Sequence, residues 1–512
     1  MKIKDKKIHP ALVLFMLTIV IMIISSIGGI LNLETTYYDV NSVSGKLETH
    51  VVTINNLFNR TGLQFLVSNM LSNFINFAPL GTLILGLMGV GVAYKSGFLN
   101  AFFKLITKDK SKKMFTFLVV FLGVLSSMFY EVGYVILIPV AAILFMNLGR
   151  HPASGVCAAF AGISFGYGAN LFVNGLDNIL ITYTQSATKI LDQSYAVSLS
   201  GNLIFMIVAT FLISYVGMVV TEKCIVPKLG KYTITEEDNI DLTVELSKRE
   251  KKGVALAVLF TLLIVLIFIY CIIPGLPFSG LFLYLKNDTY VAQLFGSESY
   301  FNQGSVIIFS MLLAFAGFIY GLKVKSIKTS KDLMDAASYY LQSFSSLLVL
   351  IFFAAQFCLI FKETNIGIFI VASLTEFLEG LHLTGIVLII LSFLIVLISS
   401  VFVPVASTKW AIISPVMVPM FMQSSFTPEF AQAVFRAADS SMKGMTPLFT
   451  YFVILIGFLQ IYNNKKKDVV TLVDALSLIV PYSIAFSVLW LILLLAFYII
   501  GVPLGFSTGV ML

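Results

Sequence analysis

Apolar runs of about 20 residues recur along the whole of this 512-residue chain, separated by short polar or charged segments. An α-helix of that length crosses a hydrocarbon core roughly 30 Å thick. The first run, 11–33, follows several lysines but is too long for the apolar core of a signal peptide, and no small-residue cleavage site is convincing. We therefore interpret it as a retained span, in an all-α polytopic membrane protein.

The positive charges predict which segments face the cytoplasm. Loops rich in Lys and Arg stay on the cytoplasmic side of a membrane. Of the 33 Lys and Arg residues, 25 lie in the N-terminus, 95–113, Arg150, 223–252, 323–331 and 465–467. The intervening segments 34–66, 183–200, 276–302 and 362–383 hold few and are expected to face outward. The N-terminus is therefore predicted to be inside.

With these loops assigned, the apolar runs predict about nine crossings and two re-entrant hairpins. The hairpins, 114–148 and 384–424, each begin and end on one side, and they enter from opposite faces. Non-helical backbone at membrane depth is tolerated only where it is buried in protein or lines a cavity, so the hairpin tips mark a candidate site. The crossings lie near 11–33, 76–94, 153–182, 199–221, 254–275, 303–322, 338–361, 429–462 and 474–503.

Two stretches that lie 276 residues apart are faint copies of one another. Residues 131–171 align with 407–447 without a gap, with nine identities in 41 positions. Two of the nine are prolines and one is a glycine, and these residues fix backbone shape. The alternative is a chance match of two apolar tracts. Paired segments interrupted by Gly and Pro indicate the binding site of a transporter built from inverted repeats.

The repeats divide the chain into four parts. An N-terminal span and an outward loop come first, and each repeat holds one hairpin and one broken helix. The parts are 1–75; repeat 1 at 76–222, with hairpin 114–148 and broken helix 153–182; a cytoplasmic linker, span and outward loop at 223–302; and repeat 2 at 303–512, with hairpin 384–424, broken helix 429–462 and the final span.

Composition excludes several other classes of protein. The chain is 58% hydrophobic and 12% charged, against about 25% charged in a soluble domain. Its net charge of +7 follows from loop placement, so we expect no nucleic-acid partner. The four cysteines are scattered singly, which predicts neither disulfides nor a metal cluster. Walker and HExxH motifs are absent from the sequence, so we expect neither an enzyme nor an organic cofactor.

Charged and aromatic residues near the two helix breaks form a candidate substrate site. Asp177 follows an amide-rich stretch inside an apolar span. A carboxylate at membrane depth costs about 2.5–3.5 kcal/mol to insert and usually faces a cavity, although Asp177 could instead cap a helix. Arg436 and Asp439 share a helical face and either pair with each other or bind ions. Trp410 either stacks on an aromatic substrate or packs within the protein or at the membrane interface.

Oxygen-bearing residues near the same breaks are candidate cation ligands, with sodium the only metal considered. In the repeat alignment Glu131 falls opposite Ser407 and Tyr134 opposite Trp410, so each hairpin tip offers one oxygen ligand and one aromatic ring. Serine and glycine are also common where membrane helices touch, which is the alternative reading. The candidate ligands are Ser126, Ser127, Glu131, Gly166, Gly168 and Asn170 in the first half, and Ser399, Ser400, Thr408, Ser440 and Thr446 in the second, where Lys443 is included in the site as a charge.

Several segments together resemble the AbgT family of p-aminobenzoyl-glutamate and antimetabolite transporters, in the ion-transporter superfamily. They are 73–93, 133–152, 168–171 with Asp177, 409–412, and Arg-x-x-Asp-Ser-Ser at 436–441 with Thr-Pro at 446–447, and the likeness runs from about 9 to 502. The resemblance implies a homodimer in the bacterial inner membrane, with nine spans and two re-entrant hairpins per protomer. It also implies that each protomer uses a gradient of sodium or protons to move its substrate.

The resemblance carries transport residues onto this chain, at Asp177, Ser407, Trp410, Pro428, Arg436, Asp439 and Pro447, and we add Asn170 as a substrate-binding candidate. Two places depart from the family pattern. Tyr94 stands where an acidic residue is usual, and Met442-Lys443-Gly444 replaces a small, amide-containing run. We therefore expect Lys443 to supply a built-in positive charge to the second-half cation site, with Asp439 as its partner. The alternative is that Lys443 snorkels towards an aqueous cavity.

The resulting functional hypothesis is a cation-coupled secondary transporter. Its substrate would be a p-aminobenzoyl-glutamate-like aromatic carboxylate, or it would export sulfonamide-type antimetabolites. A dicarboxylate or amino-acid carrier of the same superfamily is one alternative, which Trp410 and the AbgT-like segments disfavour. A polytopic membrane enzyme is another, but it would need a juxtamembrane acid/base or metal cluster that these loops do not carry.

Overall fold

The computed structural model describes residues 7–40, 47–129, 131–233, 245–343, 345–463 and 468–512. The N-terminal lysines before Lys7, the acidic run 236–238 of the linker and the lysines at 465–467 lie outside the described residues. The charge-based expectations for those segments therefore stay predictions.

Helices form nearly all of the regular backbone, as the apolar pattern predicts. The departure is a two-stranded antiparallel sheet, Glu34–Val40 with Leu47–Thr53, in the segment after the first span, where Thr, Tyr and Val favour strands. The α-helices are Pro10–Ile30, Arg60–Ile75, Ala78–Lys95, Phe98–Thr107, Lys112–Ser126, Ile138–Asn147, Pro152–Phe165, Gly175–Thr188, Leu203–Val220, Val226–Leu229, Lys248–Ile272, Tyr290–Phe295, Tyr300–Val324, Ser330–Ser343, Ser345–Glu363, Ile366–Gly380, Gly385–Phe402, Ala406–Gln423, Pro428–Met442, Phe452–Ile461 and Leu472–Ile500.

Nine helices within the described residues are long and apolar enough to cross a membrane. Seven of them coincide with predicted crossings, and the other two, Lys112–Phe129 and Gly385–Phe402, are the first arms of the predicted hairpins. The predicted crossings 153–182 and 429–462 are interrupted helices, as expected. The number of membrane-crossing helices therefore agrees with the prediction, but two of the nine helices are not the predicted ones. The breaks shorten the helices within 153–182 and 429–462, so the first arms of the two hairpins are counted in their place.

The first broken helix consists of Pro152–Phe165 and Gly175–Thr188, and the second of Pro428–Met442 and Phe452–Ile461. Each begins with proline, whose fixed φ and missing N–H suit the first turn of a helix. Every residue of Pro152–Phe165 is buried, and so is every residue of Pro428–Met442 except the last. The two broken helices therefore lie at the centre of the protein.

The first hairpin, 114–148, folds back to the place where it starts. Its first arm begins at Lys112, and Arg150 follows its second arm. The Arg150 guanidinium donates to the Thr116 hydroxyl over 2.9 Å and forms an ion pair with both carboxylate oxygens of Glu222. The two ends of the segment are thus joined. Entry of the hairpin from one face of the membrane remains a prediction.

The second hairpin, 384–424, also has two arms, Gly385–Phe402 and Ala406–Gln423, with a break at 403–405. Residues from its start, Leu383 and Thr384, and from its end, Gln423 and Ser424, line one cavity of about 630 Å³. Both ends therefore meet at the same part of the protein.

The two repeats exchange equivalent contacts. A side chain at Gly168 would collide with Ser440 and Arg436, and a side chain at Gly444 would collide with Ser164 and Phe160. At the offset of 276, Gly168 corresponds to Gly444 and Ser164 to Ser440. Each break therefore packs on the other repeat's buried helix in the same way, which a two-fold relation between the repeats would produce. This exchange supports the sequence alignment of the repeats.

Candidate functional site

Asp177 lies at the start of Gly175–Thr188, just after the first break. Its Oδ2 accepts from the backbone N–H of Asn174 over 2.8 Å, and the Asn174 side chain accepts from Leu176 over 2.9 Å. This capping box satisfies N–H groups that have no partner within the helix. The second carboxylate oxygen, Oδ1, pairs with Arg436. The helix-cap alternative is therefore correct, and the same carboxylate also carries an ion pair.

Arg436 comes from the buried helix of the second repeat, so its pair with Asp177 joins the two broken helices. The side chains of Arg436 and Asp177 are 1% and 3% exposed. The alternative in which Arg436 pairs with Asp439 is wrong. The i, i+3 spacing allows that pair, but each residue has a partner on a neighbouring element instead.

Half of the Arg436 guanidinium has no hydrogen-bond partner among the described residues. Within the described residues, Nη1 donates to Asp177, whereas Nε and Nη2 are buried without a hydrogen bond. Nε and Nη2 form one edge of the guanidinium plane, and such an edge binds a carboxylate through two parallel hydrogen bonds. Leaving buried donors unsatisfied costs about 1–3 kcal/mol each. These two donors can therefore bind an acceptor.

Trp410, in the second hairpin, is completely buried beside this helix. Its indole N–H donates to the Thr184 hydroxyl over 2.9 Å, and its ring lies 4.5 Å from that of Phe435, the residue before Arg436. Thr184 in turn donates to the side chain of Gln432 over 2.6 Å. In this structure Trp410 packs within the protein, and contact with a substrate would require the Trp410–Phe435 pair to separate.

Tyr134 occupies the corresponding place in the first hairpin. Its ring stacks on Tyr451 at 4.5 Å, and its hydroxyl is 3.1 Å from that of Ser164. Tyr134 thus contacts the first broken helix before its break and Tyr451, the last residue of the break in the second broken helix. Trp410 likewise contacts both broken helices, through Phe435 before the second break and Thr184 after the first. These contacts support the correspondence of the two aromatics in the repeat alignment, which stays a prediction.

A buried ammonium lies at the tip of the second hairpin. Lys409 is 0% exposed, and its Nζ donates to the Ser400 hydroxyl over 2.6 Å and to the Val403 carbonyl over 3.1 Å. The same Nζ forms an ion pair with Asp439, which is 2% exposed. Sequence analysis used Lys409 only as part of a family segment. A lysine and an aspartate both within apolar spans were the signal that could have paired them.

The expected partnership of Lys443 with Asp439 is wrong, because Lys409 takes that carboxylate. The Lys443 ammonium lies 3.2 Å from the centre of the Tyr167 ring and 5.7 Å from that of Phe449. Aromatic faces stabilise cations through the ring quadrupole, so Lys443 is held by cation–π contacts. Lys443 is 8% exposed. Within the described residues it forms no ion pair with Asp439, although it lies within range of the Asp439 and Lys409 charges.

The candidate cation ligands of the first half are partly brought together. The Asn170 amide donates to the Ser127 hydroxyl over 3.1 Å, and both side chains are buried. The Ser126 hydroxyl donates to Gly123 within its own helix. Glu131 lies beside Tyr451 and Thr82, towards the second repeat. Ser127 and Asn170 therefore form the polar centre of this half.

The remaining candidates of the second half are more dispersed. The Ser399 and Ser440 hydroxyls donate to helix carbonyls one turn earlier, at 2.7 and 2.6 Å. The Thr446 hydroxyl accepts from the backbone N–H of Leu448. Ser407 is half-buried and Thr408 is exposed, so Thr408 does not join the buried cluster.

The two prolines carried over from the family shape the second broken helix. Pro428 is the first residue of Pro428–Met442, and Pro447 lies in the break between the two pieces of that helix. The Pro447 carbonyl accepts from the Cys358 thiol over 3.7 Å. Both prolines therefore position backbone around the site.

Glu429 is a buried carboxylate that sequence analysis missed. It accepts from the Tyr195 hydroxyl over 3.0 Å and from the backbone N–H of Ser198 over 2.8 Å. Burial, together with this carboxylate, raises the pKa of Tyr195, so the hydroxyl remains a donor. The contacts connect the loop after the first broken helix to the start of the second broken helix. Within the described residues, no group of three or more His, Cys, Asp or Glu side chains is placed to hold a metal.

The sequence model of the AbgT putative transporter family matches residues 2–512. The p-aminobenzoyl-glutamate transport protein of Escherichia coli strain K12 is 30% identical over 506 residues, which are 98% of this chain and 94% of that protein.

Two solved structures are also similar. The YdaH transporter of Alcanivorax borkumensis, described as having an unusual topology, is 28% identical, with 97% of this chain and 100% of that chain covered and a TM-score of 0.49. MtrF of Neisseria gonorrhoeae, described as illuminating a class of antimetabolite efflux pumps, is 33% identical, with 98% of each chain covered and a TM-score of 0.49.

The family model and the E. coli relative both cover nearly the whole chain, and both describe transporters rather than enzymes. They confirm the resemblance seen in the sequence and the interpretation as a multi-pass membrane protein. The chain belongs to the AbgT putative transporter family.

Proposed function

We propose that this protein is a cation-coupled secondary transporter of aromatic carboxylates of the p-aminobenzoyl-glutamate type. The observation that carries the proposal is the unpaired Nε–Nη2 edge of Arg436, buried between the two broken helices. A substrate carboxylate would satisfy both donors, and its charge would offset a guanidinium that Asp177 engages through only one nitrogen.

The aromatic part of the substrate has a matching partner next to this edge. Phe435 precedes Arg436 on the same helix and packs against Trp410. When the hairpin moves, an aminobenzoyl ring could take the place of one member of that pair at little cost, because ring–ring contacts are replaced by ring–ring contacts. A dicarboxylate would use Arg436 but not the rings, and so the rings favour an aromatic substrate.

Coupling to a cation is proposed from the polar residues at the repeat-related breaks, of which Ser127 and Asn170 are already in contact. Sodium and protons are the candidate ions. A homodimer in the bacterial inner membrane, with the N-terminus inside, completes the proposal. Export of sulfonamide-type antimetabolites is the second candidate, motivated by the description of the 33% identical MtrF.

The test is uptake into liposomes that contain the purified protein. Labelled p-aminobenzoyl-glutamate, labelled succinate and a labelled sulfonamide are each offered with an inward gradient of sodium, of protons, or of neither. Unlabelled p-aminobenzoate, glutamate and succinate compete with p-aminobenzoyl-glutamate. The proposal expects gradient-dependent accumulation that p-aminobenzoate-containing compounds inhibit and succinate does not. Accumulation of succinate alone would support the dicarboxylate alternative, and gradient-driven movement of the sulfonamide alone would support antimetabolite export.

A further inference from the structure

The Lys409 ammonium is enclosed by oxygen atoms of three kinds. They are the Ser400 hydroxyl, the Val403 carbonyl and the Asp439 carboxylate, which we call the second-repeat cage. The Val403 carbonyl lies in the break just after Gly385–Phe402, where a helix end leaves carbonyls available. Hydroxyl, unwound carbonyl and carboxylate oxygens are the ligands that hard cations prefer. The second-repeat cage therefore has the composition of a cation site, and an ammonium fills it.

The first repeat lacks both charges of this cage. At the offset of 276, Gly133 stands opposite Lys409 and Ile163 stands opposite Asp439. Ser127, which corresponds to Ser400 at the offset of 273, accepts from the neutral amide of Asn170 instead of an ammonium. Ammonium and carboxylate are thus present together in one half and missing together in the other. The pairing indicates that the Lys409 charge balances the charge of Asp439.

We propose that Lys409 is a resident cation of the second repeat, which occupies the position where a mobile sodium ion would otherwise bind. The Nζ neutralises Asp439 and satisfies the Ser400 and Val403 oxygens, so a sodium ion entering as well would leave a net positive charge in a buried site. The second repeat therefore carries no mobile cation of its own. A mobile coupling cation, as proposed above, would have to bind elsewhere.

This inference corrects the earlier expectation for Lys443 and deepens the proposed function by limiting its ion stoichiometry. The Lys443 ammonium lies 3.2 Å from the centre of the Tyr167 ring, whereas Lys409 donates to oxygens and lies 5.9 Å from the centre of the Phe435 ring. The test of this inference needs no substrate, so its result is independent of the transport assay. If uptake failed but the sodium measurements came out as expected, only the proposed function would be lost.

The test removes the ammonium and asks whether sodium replaces it. Thermal unfolding of purified Lys409→Ala is followed in detergent as NaCl replaces choline chloride at constant ionic strength. The expected result is a saturable rise in Tm with sodium, beyond any rise in the wild-type protein, because a ligand that binds only the folded state stabilises it. Adding Asp439→Asn should abolish this extra rise. Lys443→Ala, which removes a buried lysine outside the cage, serves as the matched control and should show no extra rise.

A Lys409→Ala protein whose Tm responds to sodium no more than the wild type would overturn the proposal. Ser400→Ala covers the case in which Lys409→Ala does not fold, because it removes one cage oxygen and leaves the ion pair. On our proposal, its response to sodium equals that of the wild type. A sodium response that Ser400→Ala weakens several-fold would mean that the cage of the wild-type protein already holds a mobile ion, and would also overturn the proposal.

Discussion

Neutralising Asp177 tests whether the two broken helices are held together by charge. In Asp177→Asn the side chain keeps its shape and an oxygen that can still accept from the Asn174 N–H, so the helix cap is largely preserved. What is lost is the negative charge opposite Arg436, whose side chain is 1% exposed. The guanidinium then lies buried without a counter-charge and with its Nε and Nη2 unpaired.

The expected cost follows from this burial. Removing one partner of a buried ion pair destabilises a protein by about 3–5 kcal/mol, because the other charge remains uncompensated. In the double variant Asp177→Asn/Arg436→Met no charge remains, so most of that cost should be recovered. A double-mutant cycle should therefore give a coupling energy of about 2–4 kcal/mol.

The cycle can be measured by unfolding in mixed micelles, followed by tryptophan fluorescence, since the chain has only two tryptophans. The Arg150–Glu222 pair, with side chains 12% and 14% exposed, provides a matched control through Arg150→Met and Glu222→Gln. Its coupling should be smaller because partial exposure lets solvent screen the charges. A coupling for Asp177 and Arg436 below about 1 kcal/mol, or below that of the control, would refute the reasoning.

Three further predictions concern other parts of the protein. Trp410→Ala should abolish or greatly reduce transport in a protein that still folds, while Trp410→Phe should retain more of the wild-type transport rate. Wild-type rates in folded Trp410→Ala would show that Trp410 is not part of the substrate site. The second prediction uses a variant in which the exposed Cys224 and the other cysteines are replaced. Single cysteines introduced at Lys110 and at Arg150 should both react with a thiol reagent confined to the cytoplasmic side. Labelling of the two positions from opposite sides would exclude a re-entrant first hairpin. His151 is 5% exposed, and burial lowers its pKa to about 4, against about 6.5 in the unfolded chain. The unfolded chain therefore binds one proton more than the folded protein as the pH falls from about 6.5 to about 4. The free energy of unfolding should drop by up to about 3 kcal/mol across that window. If His151→Gln shows the same dependence of unfolding free energy on pH as the wild type, this prediction is wrong.

The architecture of the site could be predicted because backbone breaks leave a local signal. Gly168 and Gly444 stand at equivalent positions of the two repeats, and Pro152 and Pro428 begin the two buried helices. These residues act through φ and through the missing N–H or Cβ, so their effect does not depend on distant partners.

The partners of the charged residues could not be predicted in the same way. Helical spacing favoured an ion pair between Arg436 and Asp439. The pair that forms, Arg436 with Asp177, joins two elements that lie more than 200 residues apart in the sequence and pack together at the site. The Lys409–Asp439 pair depends on where the second hairpin tip lies, which no local pattern shows. The small sheet at Glu34–Val40 was missed because a short polar strand pair leaves little trace between long apolar runs.

The central claim is that the open edge of Arg436 receives a substrate carboxylate, and substrate binding tests it most directly. Affinities of p-aminobenzoyl-glutamate and of its two monoamides, in which one carboxylate is replaced, are measured on the purified wild-type protein and on Arg436→Met. A hydrogen-bonded charge is worth about 1.5–3 kcal/mol, so one monoamide should bind about 10- to 150-fold more weakly to the wild type. In Arg436→Met that acid–amide difference should vanish. If the variant discriminates acid from amide as strongly as the wild type, Arg436 does not bind the substrate carboxylate and the account is wrong.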